Sequence, residues 1–257
     1  MRAIWSGAIG FGLVNIPVKI FSSIQQSELD LDMLDKKDHS NIKFQRVNAT
    51  TGKEVAWENI VKGYKVDNQY VILTDEDFKK ASPEKTKTID ITEFVETDEV
   101  PAIYYDSSYY IEPEKNGGKA YVLLRDALTK AKKAAIGTFV LRNKENLCLI
   151  SSADKILVLH KIRYAEEIRS PEDIKIPESK VTTAEIQMAI KLIEQLTGKF
   201  DISQYKDTYT ETLLKFIQAK AKGKKFTAPK MHVVHSGTKD LMAELKASLS
   251  HVKKKAS

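Results

Sequence analysis

The sequence contains one cysteine in 257 residues, which excludes an internal disulfide and any zinc site built from several cysteines. This residue, Cys148, lies in an apolar run at 147–150. A catalytic nucleophile is one interpretation, but free cysteines are usually buried and behave as small apolar side chains. We therefore predict that Cys148 is part of the hydrophobic core.

Long hydrophobic runs are also missing, since no stretch approaches the ~20 consecutive apolar residues that a transmembrane helix needs. Gly7, Gly10, Gly12 and Asn15 interrupt the N-terminal region, where a signal peptide would need a continuous apolar segment. These absences predict a protein that stays in the cytoplasm and has no membrane partner.

Complete motifs for phosphate, dinucleotide or metal chemistry are absent from the sequence. Gly52-Lys53 is followed by Glu54, so the phosphate-loop pattern fails. His232 and His235 have the spacing of two metal ligands, but a metal site needs a third ligand, and incidental spacing is the simpler interpretation. We predict a binding protein rather than an enzyme, with no metal, no other cofactor and no small-molecule substrate.

Positive charge is concentrated at the C-terminal end of the chain. The net charge is +6, but residues 215–257 contain eleven lysines against Asp240 and Glu244, a net charge of +9. The rest of the chain therefore has a net charge of −3. A nucleic-acid role for this larger part must depend on where its cations lie and not on their sum.

Alternating apolar residues predict a mainly β fold. In residues 14–20 apolar and polar residues alternate, and Pro17 indicates an edge strand or the margin of a barrel. Two segments, 42–47 and 54–61, flank a turn-forming loop at 48–52 and predict a hairpin. The other predicted strands are 29–34, 70–73, 86–94, 102–111, 136–141 and 156–164. Many short strands separated by turns favour a β-barrel or a sandwich.

Three helices are predicted from capping signals and apolar spacing. Residues 119–132 follow two glycines and place apolar residues on one face. Thr182 and Glu185 form a capping box, and Thr208 and Glu211 form a second one, which opens a helix that ends at 223. The first box opens a helix whose apolar stripe is predicted to face inward: Ile186, Ile190 and Ile193.

The C-terminal end is predicted to contain a linker and a short amphipathic helix. Residues 224–237 are polar and basic, with a proline and a glycine that favour a linker. In 238–257 apolar residues recur at helical spacing, and a helix of ~15 residues is only marginally stable alone in water. We expect this helix to dock on its own protein or to be completed by a partner.

The first 21 residues, MRAIWSGAIGFGLVNIPVKIF, resemble the N-terminal signature of the bacterial Ku family. The likeness continues in order through 58–64, 70–78, 109–114, 196–201, 207–211 and 240–249. Gly10 stands where the family pattern suggests serine. Many members have a cysteine pair near residues 46–54, and its absence here excludes a zinc site in that loop.

The resemblance implies a homodimeric ring around DNA. Residues 1–223 would form the Ku core, a β-barrel with a hairpin-rich bridge at about 30–95 and a helical arm at about 182–223. Such a ring binds ends of double-stranded DNA without sequence specificity and recruits a DNA ligase, usually of the ligase D type, for non-homologous end joining. Residues 238–257 would supply the ligase-recruiting helix and a basic tail, and the protein would act at the bacterial nucleoid.

Candidate site residues follow from this expectation. Binding without sequence specificity needs Lys and Arg at phosphates and few contacts to base edges. The predicted DNA contacts of the bridge are Lys36, Lys37, Lys43, Arg46 and Lys53, to which the resemblance adds Arg142 and Lys144. Lys43 and Arg46 would point to opposite faces of an unbulged strand. The predicted ligase anchors, suited to a helix-in-groove contact, are Leu241, Met242, Leu245 and Leu249.

Two other functions are open at this point. A non-specific DNA-coating protein, dominated by its basic tail, would bind closed circular DNA as well as it binds ends. A metal-dependent nuclease would use Asp and Glu side chains, but no convergent carboxylate motif is visible in the sequence.

Overall fold

The computed structural model describes residues 1–25, 29–81, 87–142 and 144–224, together with 242, 243, 245, 246 and 248. The chain divides into two compact units, Met1–Pro171 and Glu172–Ser257. Among the residues described, no helix has the length and apolar character needed to cross a membrane.

The first unit is built on a closed barrel of seven strands. In order around the barrel they are β1 (Trp5–Phe11), β2 (Val14–Ser22), β6 (Tyr105–Pro113), β9 (Ile156–Ile162), β8 (Lys144–Ala153), β7 (Lys133–Leu141) and β5 (Thr88–Glu96). Strands that alternate in direction can close a barrel only in even number, so seven strands need one parallel pair. That pair is β1 with β5, in which Ile9 lies opposite Ile89. The predicted mainly β barrel fold is confirmed.

Strand β2 shows how the alternation in the sequence produces the core. Ile16, Val18 and Ile20 are at most 1% exposed and belong to the main hydrophobic cluster. Pro17 lies one residue beyond the last pair between β2 and β6, Val18 with Pro113, so its missing N–H leaves no gap in that ladder. This position is at the barrel margin, as the proline predicts.

Helix α2 (Gly118–Ala131) packs over one end of the barrel and confirms the helix predicted at 119–132. Its buried residues, Tyr121, Leu124 and Leu128, join the cluster formed by the inward side chains of the strands. The Tyr121 hydroxyl donates to the carbonyl of Ile111 at 2.8 Å and accepts from the N–H of Leu157 at 2.7 Å. These bonds tie the helix to β6 and β9, and burial raises the pKa of Tyr121.

Cys148 lies in the barrel interior with no exposed surface, as predicted. Burial raises the pKa of its thiol to about 12. The thiol is therefore protonated at neutral pH, and the nucleophilic interpretation is wrong because the thiolate is the reactive form.

Between β2 and β5 the chain leaves the barrel in what we call the bridge segment, residues 29–81. Its regular elements are a short 3-10 helix at Trp57–Asn59, a hairpin of β3 (Lys62–Val66) and β4 (Gln69–Leu73), and α1 (Asp75–Ala81). The strand predicted at 29–34 is wrong, and so are the strands predicted at 42–47 and 54–61. Two isolated bridges replace them, Leu34 with Asn41 and Val47 with Glu54.

The turn inside this irregular region is nevertheless confirmed. Asn48 accepts hydrogen bonds from the N–H groups of Thr50 and Thr51 through its side-chain oxygen, at 2.9 and 3.0 Å. Gly52 has φ +66°, a left-handed conformation that glycine adopts without steric cost. The turn residues thus fix a local reversal, although no ladder of strands follows from it.

The second unit contains α3 (Thr183–Leu196) and α4 (Thr208–Ala221). The predicted capping box of α3 is confirmed, because Thr182 and Glu185 bond each other's backbone N–H groups. The predicted second box is wrong: Asp207 caps α4, and its carboxylate accepts from the N–H of Thr210 at 2.9 Å. An ionised carboxylate is a stronger acceptor than a threonine hydroxyl, and bonds to Thr210 lower the pKa of Asp207.

The apolar stripe of α3 does not face inward. Ile186, Ile190 and Ile193 are 49%, 47% and 63% exposed, so their predicted burial is wrong in the single chain. Isoleucines at this spacing on an exposed face are typical of a surface that another molecule covers.

Gly137 in β7 gives a test of the barrel packing. A Cβ at this position would overlap the backbone carbonyl of Asp90 in β5, next to an irregularity in the β5–β7 register. We expect Gly137→Ala to lower the free energy of unfolding by about 1–3 kcal/mol, the usual cost of overpacking. Gly118→Ala is the control, because a Cβ there has no atom within 4 Å. Urea denaturation at one fixed protein concentration measures both, and equal midpoints would contradict the packing.

Candidate nucleic-acid interface

The end of the barrel opposite α2 is open, and we call it the barrel mouth. It contains a cavity of about 840 Å³ at the ends of the strands. No carboxylate is among the described residues that line this cavity. Four cationic side chains line it: Arg2, Arg142, Lys144 and Lys161. The barrel mouth therefore has a positive lining on a rigid scaffold.

The turn between β7 and β8 positions two of these cations. Leu141 pairs with Lys144, and Arg142 lies between them with φ 53°. Asn146, only 6% exposed, donates from its side-chain nitrogen to the carbonyl of Lys144 at 2.7 Å. This partly buried bond fixes the start of β8, and both predicted cations lie among the lining residues of the cavity.

Lys161 enters the cavity from β9, whose residues Leu157 and Leu159 face the interior on the same side of the strand. Its ammonium group lies 3.0 Å from the carboxylate of Asp106, which also contacts the guanidinium of Arg163 at 2.7 Å. The hydrogen bond from Lys161 is the main reason that the pKa of Asp106 is lowered, although burial acts in the opposite direction. The single negative charge of Asp106 is therefore shared between Lys161 and Arg163, and these three side chains together keep a net positive charge.

The other cations of the barrel mouth are less compensated. Lys144 lies 3.9 Å from Glu167, and both side chains are solvent-exposed, so the pair is weak. Arg2 and Arg142 form no ion pair with any residue that the structure describes. Sequence reasoning found Arg142 and Lys144 but missed Arg2 and Lys161. A lysine at an inward position of an otherwise apolar strand was the signal for Lys161.

Five cations were predicted in the bridge: Lys36, Lys37, Lys43, Arg46 and Lys53. All five are exposed, and none of them forms an ion pair within the described ranges. The guanidinium of Arg46 lies over the ring of Trp57, 4.5 Å from its centroid. The inference that Lys43 and Arg46 point to opposite faces of a strand is wrong, because no strand forms there.

The predicted ligase anchors are described only in part. Met242 and Leu245 are helical and half-buried. Leu241 and Leu249 lie outside the described residues, as do residues 225–237 of the linker predicted at 224–237.

Other polar groups of the barrel are engaged in local hydrogen bonds. His160 in β9 bonds Ser108 of β6 at 2.8 Å and Ser151 of β8 at 3.1 Å, which links three neighbouring strands. Burial lowers the pKa of His160, so its neutral form is favoured. In the part of the chain that the structure describes, no group of three or more His, Cys, Asp or Glu residues is arranged to hold a metal ion.

The fold and this charge distribution define a class: a closed β-barrel protein with cations around one barrel mouth and along an extended bridge segment. The chain belongs to the Ku family. The family model described as the Ku70/Ku80 beta-barrel domain matches residues 10–188, more than half of the chain. The resemblance carried by the N-terminal signature is confirmed.

Three relatives extend this likeness over nearly the whole chain. A protein of Anaeromyxobacter sp. (strain K) is 40% identical over 257 residues, which are 99% of this chain and 87% of the relative. One of Archaeoglobus fulgidus is 40% identical and covers 98% of this chain and 100% of the relative. One of Bacillus subtilis is 36% identical and covers 99% and 83%. All three are named non-homologous end joining protein Ku.

A solved structure, the SPOC domain of human PHD-finger protein 3, covers 63% of this chain and 95% of its own. The TM-score is 0.31 and the identity 11%, a likeness that is too low to bear on function.

Proposed function

We propose that this protein binds the ends of double-stranded DNA without sequence specificity, as a homodimeric ring, and recruits a DNA ligase of the ligase D type for non-homologous end joining. In this proposal it acts at the bacterial nucleoid and catalyses no reaction itself. The observation that carries the proposal is the bridge segment, a long excursion from the barrel whose cations are exposed and unpaired within the described ranges. The names of the relatives support the repair pathway.

Phosphate contact is the chemistry that the bridge segment offers. A Lys or Arg without an intramolecular partner keeps its full attraction for the DNA backbone. Stacking on Trp57 holds the Arg46 guanidinium in place, so less side-chain freedom is lost when it binds a phosphate. Such contacts do not distinguish base sequences, which suits a protein that must accept any broken end.

Exposed apolar side chains support a homodimer. In the bridge segment Phe44, Trp57, Tyr64 and Tyr70 are 79%, 72%, 69% and 69% exposed. The hairpin of β3 and β4 forms a separate two-stranded sheet, and an isolated hairpin is marginally stable in water. A second copy of the chain would cover these surfaces and complete a ring.

A ring predicts topological retention, which an open binder lacks. Protein is loaded on a linear duplex, both ends are then blocked with bulky groups, and dissociation into high salt is measured. We expect retention on doubly blocked DNA and release when one end is reopened. Rapid release from blocked DNA, with equal affinity for linear and closed circular duplexes, would instead favour a non-specific DNA-coating protein.

Removal of the C-terminal helix tests ligase recruitment. We expect a chain truncated after Gly237 to keep end binding and to lose stimulation of the ligase, because the four predicted anchors are removed. Truncation also removes positive charge, so a control variant has Lys253, Lys254 and Lys255 replaced by glutamine. Full stimulation by the truncated chain, or equal loss in the control, would contradict a role for the apolar anchors. Ligation of a linear substrate and a separate end-binding assay give the two readouts.

A further inference from the structure

The barrel mouth has more positive charge than a passing phosphodiester would need. Four cations line one cavity, and the lining residues described include no carboxylate. An internal phosphodiester of a duplex carries one negative charge, whereas a phosphate monoester approaches two at pH 7 because its second pKa is near 6. The charge of the cavity therefore matches a terminal or free phosphate better than a backbone phosphate.

The cavity has the size of a ligand pocket and mixes cationic with apolar lining residues. Its volume of about 840 Å³ is within the range of small-molecule sites, roughly 300–1,000 Å³. Half-buried Tyr109 and Leu141 give it an apolar wall beside the cations. The backbone that carries these side chains is held by strand pairing in the barrel and by the hydrogen bond from Asn146 to Lys144.

The two arginines supply the directional part of the site. A planar guanidinium can donate two parallel hydrogen bonds to one phosphate, which an ammonium group cannot do. Arg2 and Arg142 have no ion pair to break among the described residues, whereas Lys161 is shared with Asp106. A phosphate that enters the cavity would therefore meet two guanidinium groups without an ion-pair partner among the described residues, and two ammonium groups.

From this arrangement we infer that the barrel mouth is a pocket for a phosphate monoester or polyphosphate group, distinct from the backbone contacts of the bridge segment. Two sources share this chemistry: the 5′-phosphate at a DNA end, and a free phosphate compound. The first source rests on the proposed function, whereas the second does not.

Trp5 provides a reporter for the pocket. Its indole N–H donates to the carbonyl of Val140 at 3.0 Å, next to Leu141 in the cavity wall. In a Trp57→Phe background Trp5 is the only tryptophan of the full chain. We expect pyrophosphate to change its emission in a saturable manner, and Arg2→Gln with Arg142→Gln to weaken the binding roughly tenfold or more. The charge-matched control is Lys115→Gln with Lys119→Gln, two exposed lysines at the end that α2 covers.

A second arm distinguishes the source. Linear duplexes that differ only in a 5′-phosphate or a 5′-hydroxyl are compared for binding to the unchanged chain and to the arginine double variant. A preference for the 5′-phosphate that the double variant loses assigns the pocket to DNA ends. Saturable pyrophosphate binding without such a preference assigns it to a free phosphate compound, and both results support the pocket.

The inference is overturned if pyrophosphate gives no saturable response and the duplexes bind equally. It is equally overturned if the arginine double variant responds like the control. The proposed function is judged separately, by the preference for linear over closed circular DNA. That preference can persist when the pocket fails, and pyrophosphate binding can persist when the preference fails.

Discussion

Replacing the five bridge cations Lys36, Lys37, Lys43, Arg46 and Lys53 by glutamine is expected to lower the affinity for duplex ends about a thousandfold at physiological salt. Each phosphate contact releases counterions and contributes about 0.9 to the slope of log affinity against log salt concentration. Loss of all five contacts should therefore reduce that slope by roughly 4 to 5. Fluorescence anisotropy with an end-labelled duplex over a range of salt concentrations measures both quantities.

The matched control removes five positive charges from the end of the barrel that α2 covers. These lysines are exposed and lie on or beside α2, at the end that this helix covers: Lys115, Lys119, Lys130, Lys132 and Lys155. Their replacement by glutamine changes the net charge equally but should leave the salt slope within about 1 of the unchanged protein. Equal slopes for the bridge variant and the unchanged protein would remove the bridge segment from the proposed interface.

The barrel could be predicted from the sequence because its strands bury one face within the same chain. In β2 the alternation around Pro17 is matched by 0–1% exposure of its inward residues. In residues 29–34 a similar alternation led to the prediction of a strand that does not form. Leu31 and Met33 are 63% and 60% exposed there, and no neighbouring strand pairs with them. Periodicity reports a preference for a covered face, and it does not say which molecule covers it.

The barrel mouth shows the other limit of sequence reasoning. Arg142 and Lys144 were found by resemblance. Lys161 lies on β9, the strand paired with β8, whereas Arg2 precedes β1 and meets the other three only because the barrel closes. Local patterns contain no information about such convergence. The inward position of Lys161 in β9 becomes meaningful only when the facing strands are known.

The exposed stripe of α3 leads to the second large prediction. If a second copy covers Ile186, Ile190 and Ile193, their replacement by glutamate should break the homodimer. Each isoleucine loses about 0.8–1.5 kcal/mol of apolar burial, roughly half the value for a fully exposed side chain, and each glutamate adds a charge to the interface. Because both copies of a symmetric dimer lose three such contacts, the losses together correspond to a rise in the dimer dissociation constant of about a thousandfold or more. The fold of each chain should persist, since these side chains are already 47–63% exposed in the single chain.

A control on the same helix separates charge from apolar burial. Gln187→Glu with Lys191→Glu changes the net charge by the same three units as the isoleucine variant, on residues that are exposed and polar. Sedimentation over a range of protein concentrations measures the dissociation constant, circular dichroism checks the helix content, and blocked-end DNA tests retention.

We expect the isoleucine variant to be monomeric and to escape from doubly blocked DNA, because an open half-ring cannot enclose the duplex, while the control is retained. A dimeric isoleucine variant would show that α3 is not at the interface, and a monomeric one that stays on blocked DNA would contradict the ring itself.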